Sequence, residues 1–401
     1  MKLEDFCYVN PTEQLKKNEQ YDFVEMADIV PGNRYVFSKT KKIFNGSFSK
    51  FSNKDTLMAK ITPCLENGKI SQFMGTNKGF GSTEFNVFRE KAGISDADYL
   101  YYLISSSIVK EPAIKSMTGA CGRQRANIDE IKQIEVPDFS IDIQQKIAKV
   151  LSNYDDLIEN NNKRIKILEE MAQKIYKEWF VDFKFPGHET ATFKQTELGK
   201  MPSDWKVSNI EKYYNTSSGG TPSRKQLSYY DNGNINWIKT GELKNTFVID
   251  TEEKITEEGI KNSSAKIFPV NTVVLAMYCG MGDISIMSKP MATNQACCVF
   301  LPKYSYLEYP FSYLFFSNIT KEMTNISFGA AQQNLSQEVI KAYNVKFPNK
   351  EIVQEFNKII KPVFANIKNL LYKNKTLKQT RDLLLPRLIS GGIDVENLEI
   401  I

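Results

Sequence analysis

A heptad pattern of apolar residues runs through residues 142–183 and constrains the fold of this chain more than any other feature. The stretch is polar over most of its surface, and it predicts a helix of about 40 residues, or roughly 60 Å. Its apolar stripe is narrow and has a polar break at the middle, which is typical of a coiled-coil seam. The predicted seam residues are Ile147, Val150, Tyr154, Leu157, Asn161 and Leu168. A helix with so narrow a stripe needs a partner helix of similar length to be stable.

A second heptad pattern, at residues 353–384, supplies that partner within the same chain. Its predicted seam residues are Ile360, Val363, Ile367, Leu370, Asn374 and Leu377. A shift of 213 residues superimposes the two patterns and places Asn161 on Asn374. We expect Pro362, inside this second helix, to kink it or delay its start, because proline lacks the N–H of a helical hydrogen bond.

Each long helix follows a domain with mixed helix and strand signals, so the order of domain and helix repeats with a period near 210 to 216 residues. The predicted strand-like runs are 56–63, 69–75, 85–90 and 131–137 in the first domain, and 234–241, 271–279, 296–302 and 344–348 in the second. The predicted helices inside the domains are 96–114 and 309–323. The fold class is therefore α+β, with two mixed α/β domains separated by two long helices and a pseudo-two-fold internal repeat.

The predicted domain boundaries follow from these patterns. The divisions are 1–139 for the first domain, 140–185 for the first helical spacer, 186–348 for a linker and the second domain, 349–390 for the second spacer and 391–401 for a tail. Two related domains connected by stiff helices suit a ligand that is itself extended and pseudo-symmetric. Duplex DNA is the leading candidate for that ligand.

Composition and motifs favour binding over catalysis. The formal net charge of +5 is small, so any nucleic-acid surface must come from local clusters of basic residues. No signal peptide or membrane-length apolar run occurs, which predicts a cytoplasmic protein. The six cysteines lack a metal-binding spacing, and the one histidine, His188, lies in a turn with no triad partner near it in sequence. No phosphate loop or GxGxxG motif is present, so we expect no catalytic residue and no metal site.

Candidate DNA-contacting residues cluster in several segments that carry cations, amides and glycines. In the first domain, lysines interleaved with phenylalanines predict phosphate contacts, and the segment GACGRQRAN offers arginine and glutamine for bidentate base contacts. In the second domain, the segments SSGGTPSRKQ, MATNQA and GAAQQN carry similar groups. The candidates are Lys39, Lys41, Lys42, Lys60, Arg123, Gln124, Arg125, Gly220, Thr221, Arg224, Lys225, Asn294, Gln295, Gln332, Gln333 and Asn334. Each segment could equally be a solvated loop or a structural turn.

Six motifs and the first long helix together carry a resemblance to a known family. The motifs are KITPCLENGK, GFGSTEFNVFR, TGACGRQRA, SSGGTPSR, GNINWIKTGEL and TRDLLLPRLISGGIDV. In these segments the chain resembles the specificity subunits of type I restriction-modification systems. The resemblance covers nearly the whole chain. It implies two target-recognition domains that each read one half of a bipartite asymmetric DNA sequence, and two helices that pack as an antiparallel coiled coil.

The resemblance also implies partners for this chain. These are two modification subunits, which carry S-adenosylmethionine and the adenine-methyltransferase site, and restriction subunits, which use ATP with Mg. No cofactor is expected in this chain, which has no NPPF-like or DPPY-like methyltransferase motif. We expect Trp179, Phe180 and Leu385, apolar residues near the helix ends, to contact the modification subunits, although packing within the chain is an equal alternative.

Two alternative functions remain open at this point. The helices could be a scaffold whose two domains bind protein rather than DNA, and a single-chain nuclease or methyltransferase is opposed by the missing motifs. Within the family interpretation, Asn161 and Asn374 would lie near the middle of an antiparallel pair. A polar layer there favours one register, so we expect it to help set the spacing between the two half-sites.

Overall fold

The computed structural model describes residues 1–120, 122–278, 280–328 and 335–396. The chain divides into two compact units: unit 1 is Met1–Asn160 with Asn374–Ile401, and unit 2 is Asn161–Lys373. Each unit therefore contains one α+β domain and a part of both long helices.

The helices include both of the long ones that the heptad patterns predict. In chain order they are α1 (Leu3–Phe6), α2 (Ala97–Ser105), α3 (Ser107–Lys115), α4 (Ile128–Lys132), α5 (Ile141–Tyr176), α6 (Glu257–Lys261), α7 (Tyr309–Phe328), α8 (Gln337–Ala342) and α9 (Lys350–Ile389). Short 3-10 turns occupy His188–Thr190, Ile210–Lys212, Leu227–Tyr229 and Thr240–Glu242. A π-helical turn, Lys177–Val181, extends α5. Helix α9 begins well before Pro362 and is continuous through it, so the predicted delay does not occur.

The domain of unit 1 contains two mixed sheets. Its strands are β1 (Cys7–Val9), β2 (Gln20–Val24), β3 (Tyr35–Val36), β4 (Thr40–Ile43), β5 (Ser49–Ser52), β6 (Thr56–Ala59), β7 (Ile70–Phe73), β8 (Lys78–Gly81) and β9 (Phe85–Glu90). A five-stranded sheet has the order β1-β9-β6-β7-β3, and a four-stranded sheet has the order β4-β2-β8-β5. Only the β3–β7 and β2–β8 pairs are parallel among these neighbours.

The domain of unit 2 repeats both sheets with the same order and the same strand directions. Its strands are β10 (Phe193–Lys194), β11 (Met201–Pro202), β12 (Lys206–Asn209), β13 (Tyr214–Ser218), β14 (Ile235–Ile238), β15 (Phe247–Val248), β16 (Lys254–Ile255), β17 (Ile267–Phe268), β18 (Val273–Ala276), β19 (Ile284–Met287), β20 (Met291–Thr293), β21 (Cys297–Pro302) and β22 (Asn344–Phe347). The five-stranded order is β13-β21-β18-β19-β15, and the four-stranded order is β16-β14-β20-β17. Again the pairs β15–β19 and β14–β20 are parallel. The predicted internal repeat is therefore confirmed.

Most of the predicted strands are found where residues are buried on both faces of a sheet. Strands β6 and β18 are buried throughout, which explains why they appear in the sequence as nearly continuous apolar runs. The run 131–137 is an exception, because its first two residues end α4 and only Glu135 forms an isolated bridge, with Lys2. The predicted helix 96–114 is two helices, since Ser106 adopts an extended conformation between α2 and α3.

In each unit, the long helices pack against each other and against the α+β domain. In unit 1, Ile147 and Leu151 of α5 share a buried cluster with Leu388 and Ile389 of α9 and with the tyrosines of α2. Fully burying an aliphatic side chain of this size contributes about 1.5–3 kcal/mol to the free energy of folding. The core of unit 2 likewise contains residues from both long helices, from the five-stranded sheet and from α7. The two helices are antiparallel, since the C-terminal end of α5 lies against the N-terminal part of α9 in unit 2.

The prediction for the seam of α9 is better than the prediction for α5. On α9, the predicted positions are buried or half-buried along the whole helix. On α5, the predicted seam residues Val150, Tyr154 and Leu168 are half-buried. The prediction that Leu157 lies in the seam is wrong, because its side chain is 52% exposed. Helix α5 packs against both α9 and the domains, which moves the centre of its buried stripe by about one residue from the ideal two-helix seam. The buried positions of α5 are Gln144, Ile147, Ala148, Leu151, Asp155, Ile158, Asn161, Ile165, Ala172 and Tyr176.

Candidate nucleic-acid interface

In unit 1, Thr118 and Arg125 are paired across the turn for which the sequence predicts base contacts. The amide of Thr118 donates to the carbonyl of Arg125 at 3.0 Å, and the amide of Arg125 donates back at 2.9 Å. Gly119 and Gly122 have φ angles of +124° and +79°, in the region that favours glycine. The side chain of Arg123 is exposed at this turn. The backbone therefore presents the predicted side chains to solvent.

Backbone hydrogen bonds connect this turn to two neighbouring segments. The amide of Thr62 donates to the carbonyl of Gln124 at 3.0 Å, and the amide of Gln124 donates to Thr62 Oγ1 at 3.1 Å. The amide of Ala126 donates to the carbonyl of Lys60 at 2.8 Å, and the amide of Lys60 donates to the carbonyl of Glu84 at 2.9 Å. The structure thus brings the predicted Lys60, Gln124 and Arg125 together. It adds Thr62 and Glu84, which lie in the motifs KITPCLENGK and GFGSTEFNVFR but were not among the predicted contact residues.

Arg125 forms an ion pair with Glu84 beside the turn. Its Nε donates to both carboxylate oxygens at 3.2 and 3.0 Å, and its Nη2 donates to Oε1 at 2.7 Å. The Arg125 side chain is 51% exposed, so the pair is accessible from solvent. The hydrogen bonds from Arg125, together with the charges of Arg125 and Lys60, hold the pKa of Glu84 below its usual value. Glu84 is therefore ionised at neutral pH.

The predicted lysines at positions 39 to 42 lie on and beside the edge strand β4. Lys39 pairs with Asp28 at 2.9 Å, and Lys42 pairs with Glu25 at 2.8 Å. Lys41 is exposed on the same strand. These ion pairs partly neutralise the charges of Lys39 and Lys42. Both acceptors, Asp28 and Glu25, precede the basic stretch in the sequence. Lys60 lines a different surface cleft, which it shares with Lys50 and Phe48.

In unit 2, Gly220 is a structural residue rather than a DNA contact. It is buried, and its carbonyl accepts a hydrogen bond from Trp237 Nε1 at 3.1 Å. A Cβ at this position would lie 2.0 Å from Ser264 Oγ, so only glycine fits there. Gly220, predicted as a DNA-contacting residue, is therefore a close packing contact.

The neighbouring candidates of unit 2 are exposed, and two of them have partners. Thr221 donates to the side-chain carbonyl of Gln295, which brings these two predicted residues together. Arg224 pairs with Glu253 through both Nη1 and Nη2 and lies 4.5 Å from the ring centroid of Tyr230. Lys225 is exposed.

The segment after β20 corresponds to the segment after β8 in unit 1. The amide of Met277 donates to the carbonyl of Ala296 at 2.9 Å, as the amide of Lys60 does to Glu84. Asn294 accepts from the amide of Ala296 at 3.1 Å through its side chain, so it stabilises this turn. The amide of Leu335 donates to the carbonyl of Met277 at 3.2 Å, as that of Ala126 does to Lys60. Gln332, Gln333 and Asn334, which immediately precede Leu335, lie outside the described residues.

Trp179 and Phe180 do not form an exposed partner surface. They are only 7% and 8% exposed, and their ring centroids lie 5.5 and 4.9 Å from that of Phe356. These aromatic residues connect the end of α5 to α9 and to the domain of unit 2, so packing within the chain is the correct alternative. Leu385 is half-buried against the core of unit 1.

Over the described ranges, no helix combines the length and apolarity needed to cross a membrane. No cluster of histidine, cysteine and acidic residues suited to a metal ion is found in that same part of the chain. Cys7, Cys64, Cys297 and Cys298 are free thiols, and Cys121 and Cys279 lie outside the described residues.

Comparison with known proteins explains why one domain architecture occurs twice. A family model of the type I restriction modification DNA specificity domain matches residues 1–170 and residues 202–379. The chain belongs to this family. It is thus a subunit that gives a type I restriction-modification system its DNA specificity.

Specificity subunits of known type I restriction enzymes match this chain over most of its length. The chain is 27% identical over 327 residues to the type I restriction enzyme MjaIX specificity subunit of Methanocaldococcus jannaschii, covering 80% of this chain and 74% of the relative. It is 25% identical to the HindI specificity subunit of Haemophilus influenzae, covering 89% of this chain and 94% of that one. The crystal structure of the type I restriction-modification S subunit from M. genitalium has the same fold, with a TM-score of 0.56, 16% identity, and 97% and 95% of the two chains covered.

Proposed function

We propose that this specificity subunit reads a bipartite, asymmetric DNA sequence, with one α+β domain for each half. The observation that carries the proposal is that the two domains share both sheets in order and direction but differ in the side chains at the matching loops. Unit 1 carries Glu84 and Arg125 there, whereas unit 2 carries Asn294, Gln295 and Ala296 in the segment after β20. Equal scaffolds with different donors and acceptors suit two different half-sites.

The chain would act without a catalytic site of its own. No nucleotide or methyltransferase motif occurs in the sequence. We therefore assign S-adenosylmethionine to two modification subunits, and ATP with Mg to restriction subunits. Both kinds of subunit would dock on this chain.

Transfer of labelled methyl groups to DNA tests this division of labour. We expect no transfer by the chain alone, and transfer to adenine within one bipartite sequence when the modification subunit is added. The mass of the complex should correspond to two modification subunits for each specificity subunit. Methyl transfer by the isolated chain, or failure of the complex to retain DNA, would contradict the proposal, and the latter would favour a protein-binding scaffold.

A further inference from the structure

We propose that Glu84 is a positioning residue, which holds one edge of the Arg125 guanidinium so that the other edge is presented to a guanine in the first half-site. This inference rests on the proposed function and deepens it. It assigns a role to a carboxylate at a surface where a carboxylate would otherwise oppose DNA binding, because phosphates repel it.

The geometry of the ion pair supports this role. A guanidinium has five N–H donors in one rigid plane, with a side edge of Nε and Nη2 and an end edge of Nη1 and Nη2. Glu84 accepts from Nε and Nη2, so it occupies the side edge. No hydrogen bond joins Nη1 to another residue of the described ranges, and half of the side chain is exposed. The end edge is therefore available for a second pair of acceptors.

Guanine is the base that matches this free edge. In the major groove it presents two adjacent acceptors, O6 and N7, and arginine contacts them in a bidentate manner. The pair formed by Arg125 and Glu84 carries no net charge, so it adds little to the attraction of phosphates. A neutral pair with a fixed, exposed donor edge is suited to reading a base rather than to binding the backbone.

The carboxylate is not needed to hold the turn in place. Backbone hydrogen bonds between Thr118 and Arg125, between Thr62 and Gln124, and between Lys60 and Ala126 fix the loop. The main-chain carbonyl of Glu84, which accepts from Lys60, is kept in any substitution of the side chain. Loss of the carboxylate should thus free the arginine without moving the loop.

Unit 2 supplies a contrast. Ala296 occupies the place of Glu84 there, and the exposed Arg224 has both of its terminal nitrogens bound to Glu253. Its end edge is occupied, and its plane lies near Tyr230 and Trp237. The arrangement with a free end edge is therefore a property of the Arg125 pair and not of every arginine–glutamate pair in this protein.

The test uses the complex with its modification subunit and a DNA library in which each base pair of the methylated motif is varied in turn. Glu84→Ala, Arg125→Ala and the double variant are compared with wild type. Glu19→Ala is the matched control, since it also removes one carboxylate from an exposed ion pair of unit 1, with Lys16 at 3.5 Å. Thermal melting of each complex checks that the fold is intact.

We expect Arg125→Ala to lose preference for guanine at one base pair of one half-site by roughly 5- to 150-fold. Glu84→Ala should weaken preference at that same base pair and at no other, the double variant should match Arg125→Ala, and Glu19→Ala should match wild type. Glu84→Gln, which keeps an acceptor, should retain part of the preference.

Two results would overturn the inference while leaving the proposed function intact. In one, Glu84→Ala keeps the full preference that Arg125→Ala loses. In the other, neither variant changes any position although wild type methylates a bipartite motif. Absence of a bipartite motif with wild type would instead contradict the proposed function itself.

Discussion

At the scale of single residues, unit 1 has a buried ion pair between its two long helices, where an ideal coiled coil would have apolar side chains. Asp155 of α5 forms a salt bridge with Arg381 of α9, and their side chains are only 3% and 7% exposed. Tyr102 donates to the other oxygen of Asp155 at 2.5 Å, and Arg34 donates to the hydroxyl of Tyr102 at 3.2 Å. The network connects both long helices with the domain of unit 1.

Breaking this pair from one side should be costly. We expect Arg381→Met to lower the free energy of unfolding by about 3–5 kcal/mol, because it leaves Asp155 buried without its countercharge. The double variant Asp155→Leu with Arg381→Met should recover most of the loss. Urea denaturation of the full chain measures both quantities. A double variant as unstable as the sum of its single changes would show that the two residues act independently.

A second residue-scale prediction concerns pH. Hydrogen bonds from Arg224 and Lys239 lower the pKa of Glu253 from 4.5 to about 2. A depressed folded-state pKa means that the pair stabilises the fold fully above pH 4.5 and loses this contribution as the pH falls toward 2. We expect Glu253→Gln to cost about 1 kcal/mol or less at neutral pH, because the groups are partly exposed.

Melting curves from neutral pH down to about pH 3 measure this difference. The difference in melting temperature between wild type and Glu253→Gln should be smaller at about pH 3 than at neutral pH, because the contribution is fully lost only below the folded-state pKa of about 2. Equal differences at all pH values would contradict the assignment of the depressed pKa to this carboxylate.

The sequence predicted which loops carry polar residues but not how those residues are paired. The acceptor of Arg125 lies 41 residues away in the chain, and that of Arg224 lies 29 residues away. Local patterns contain no information on such contacts, so both arginines resembled free cations. Gly220 was predicted as a DNA-contacting residue for the same reason, since Ser264 is brought against it only by the fold.

At the scale of elements, Gly220 gives a prediction about the loop after β13. We expect Gly220→Ala to destabilise the protein by about 1–3 kcal/mol, since the new methyl group would overlap the backbone and side chain of Ser264. Gly241→Ala is the control, because nothing lies within 4 Å of a Cβ there. Denaturation of the two variants should give clearly different stabilities, and equal stabilities would mean that the loop moves at little cost.

Elements with a strong apolar pattern were predictable because burial alone determines them. Strands β6, β9, β18 and β21 and helices α5 and α9 fall within or close to the predicted ranges. The observed buried stripe of α5 differs by about one residue from the predicted seam. The heptad rule assumes a single partner helix, whereas α5 also packs against the domains. Residues 131–137 were mistaken for a strand because Ile131, Ile134 and Val136 recur at short intervals before Pro137, whereas the first two residues of this run end α4.

At the scale of the whole molecule, the internal repeat carries the functional account. The period of the repeat could be read from the sequence. The pairing of the nine strands in the five- and four-stranded sheets of each domain, with one parallel pair in each of these sheets, depends on contacts distant in the chain. Asn161 and Asn374, predicted to set the half-site spacing, are both buried. Their role stays a prediction.

The most direct test of the central claim is the methylome of a strain that carries this chain with its modification subunit and no other methyltransferase. The account predicts one adenine-methylated motif with two specified halves of different sequence separated by a fixed number of unspecified base pairs. It further predicts that Arg125→Ala relaxes one half and leaves the other half and the spacing unchanged. A continuous motif, or a change in both halves from this single substitution, would contradict the assignment of one half-site to each domain.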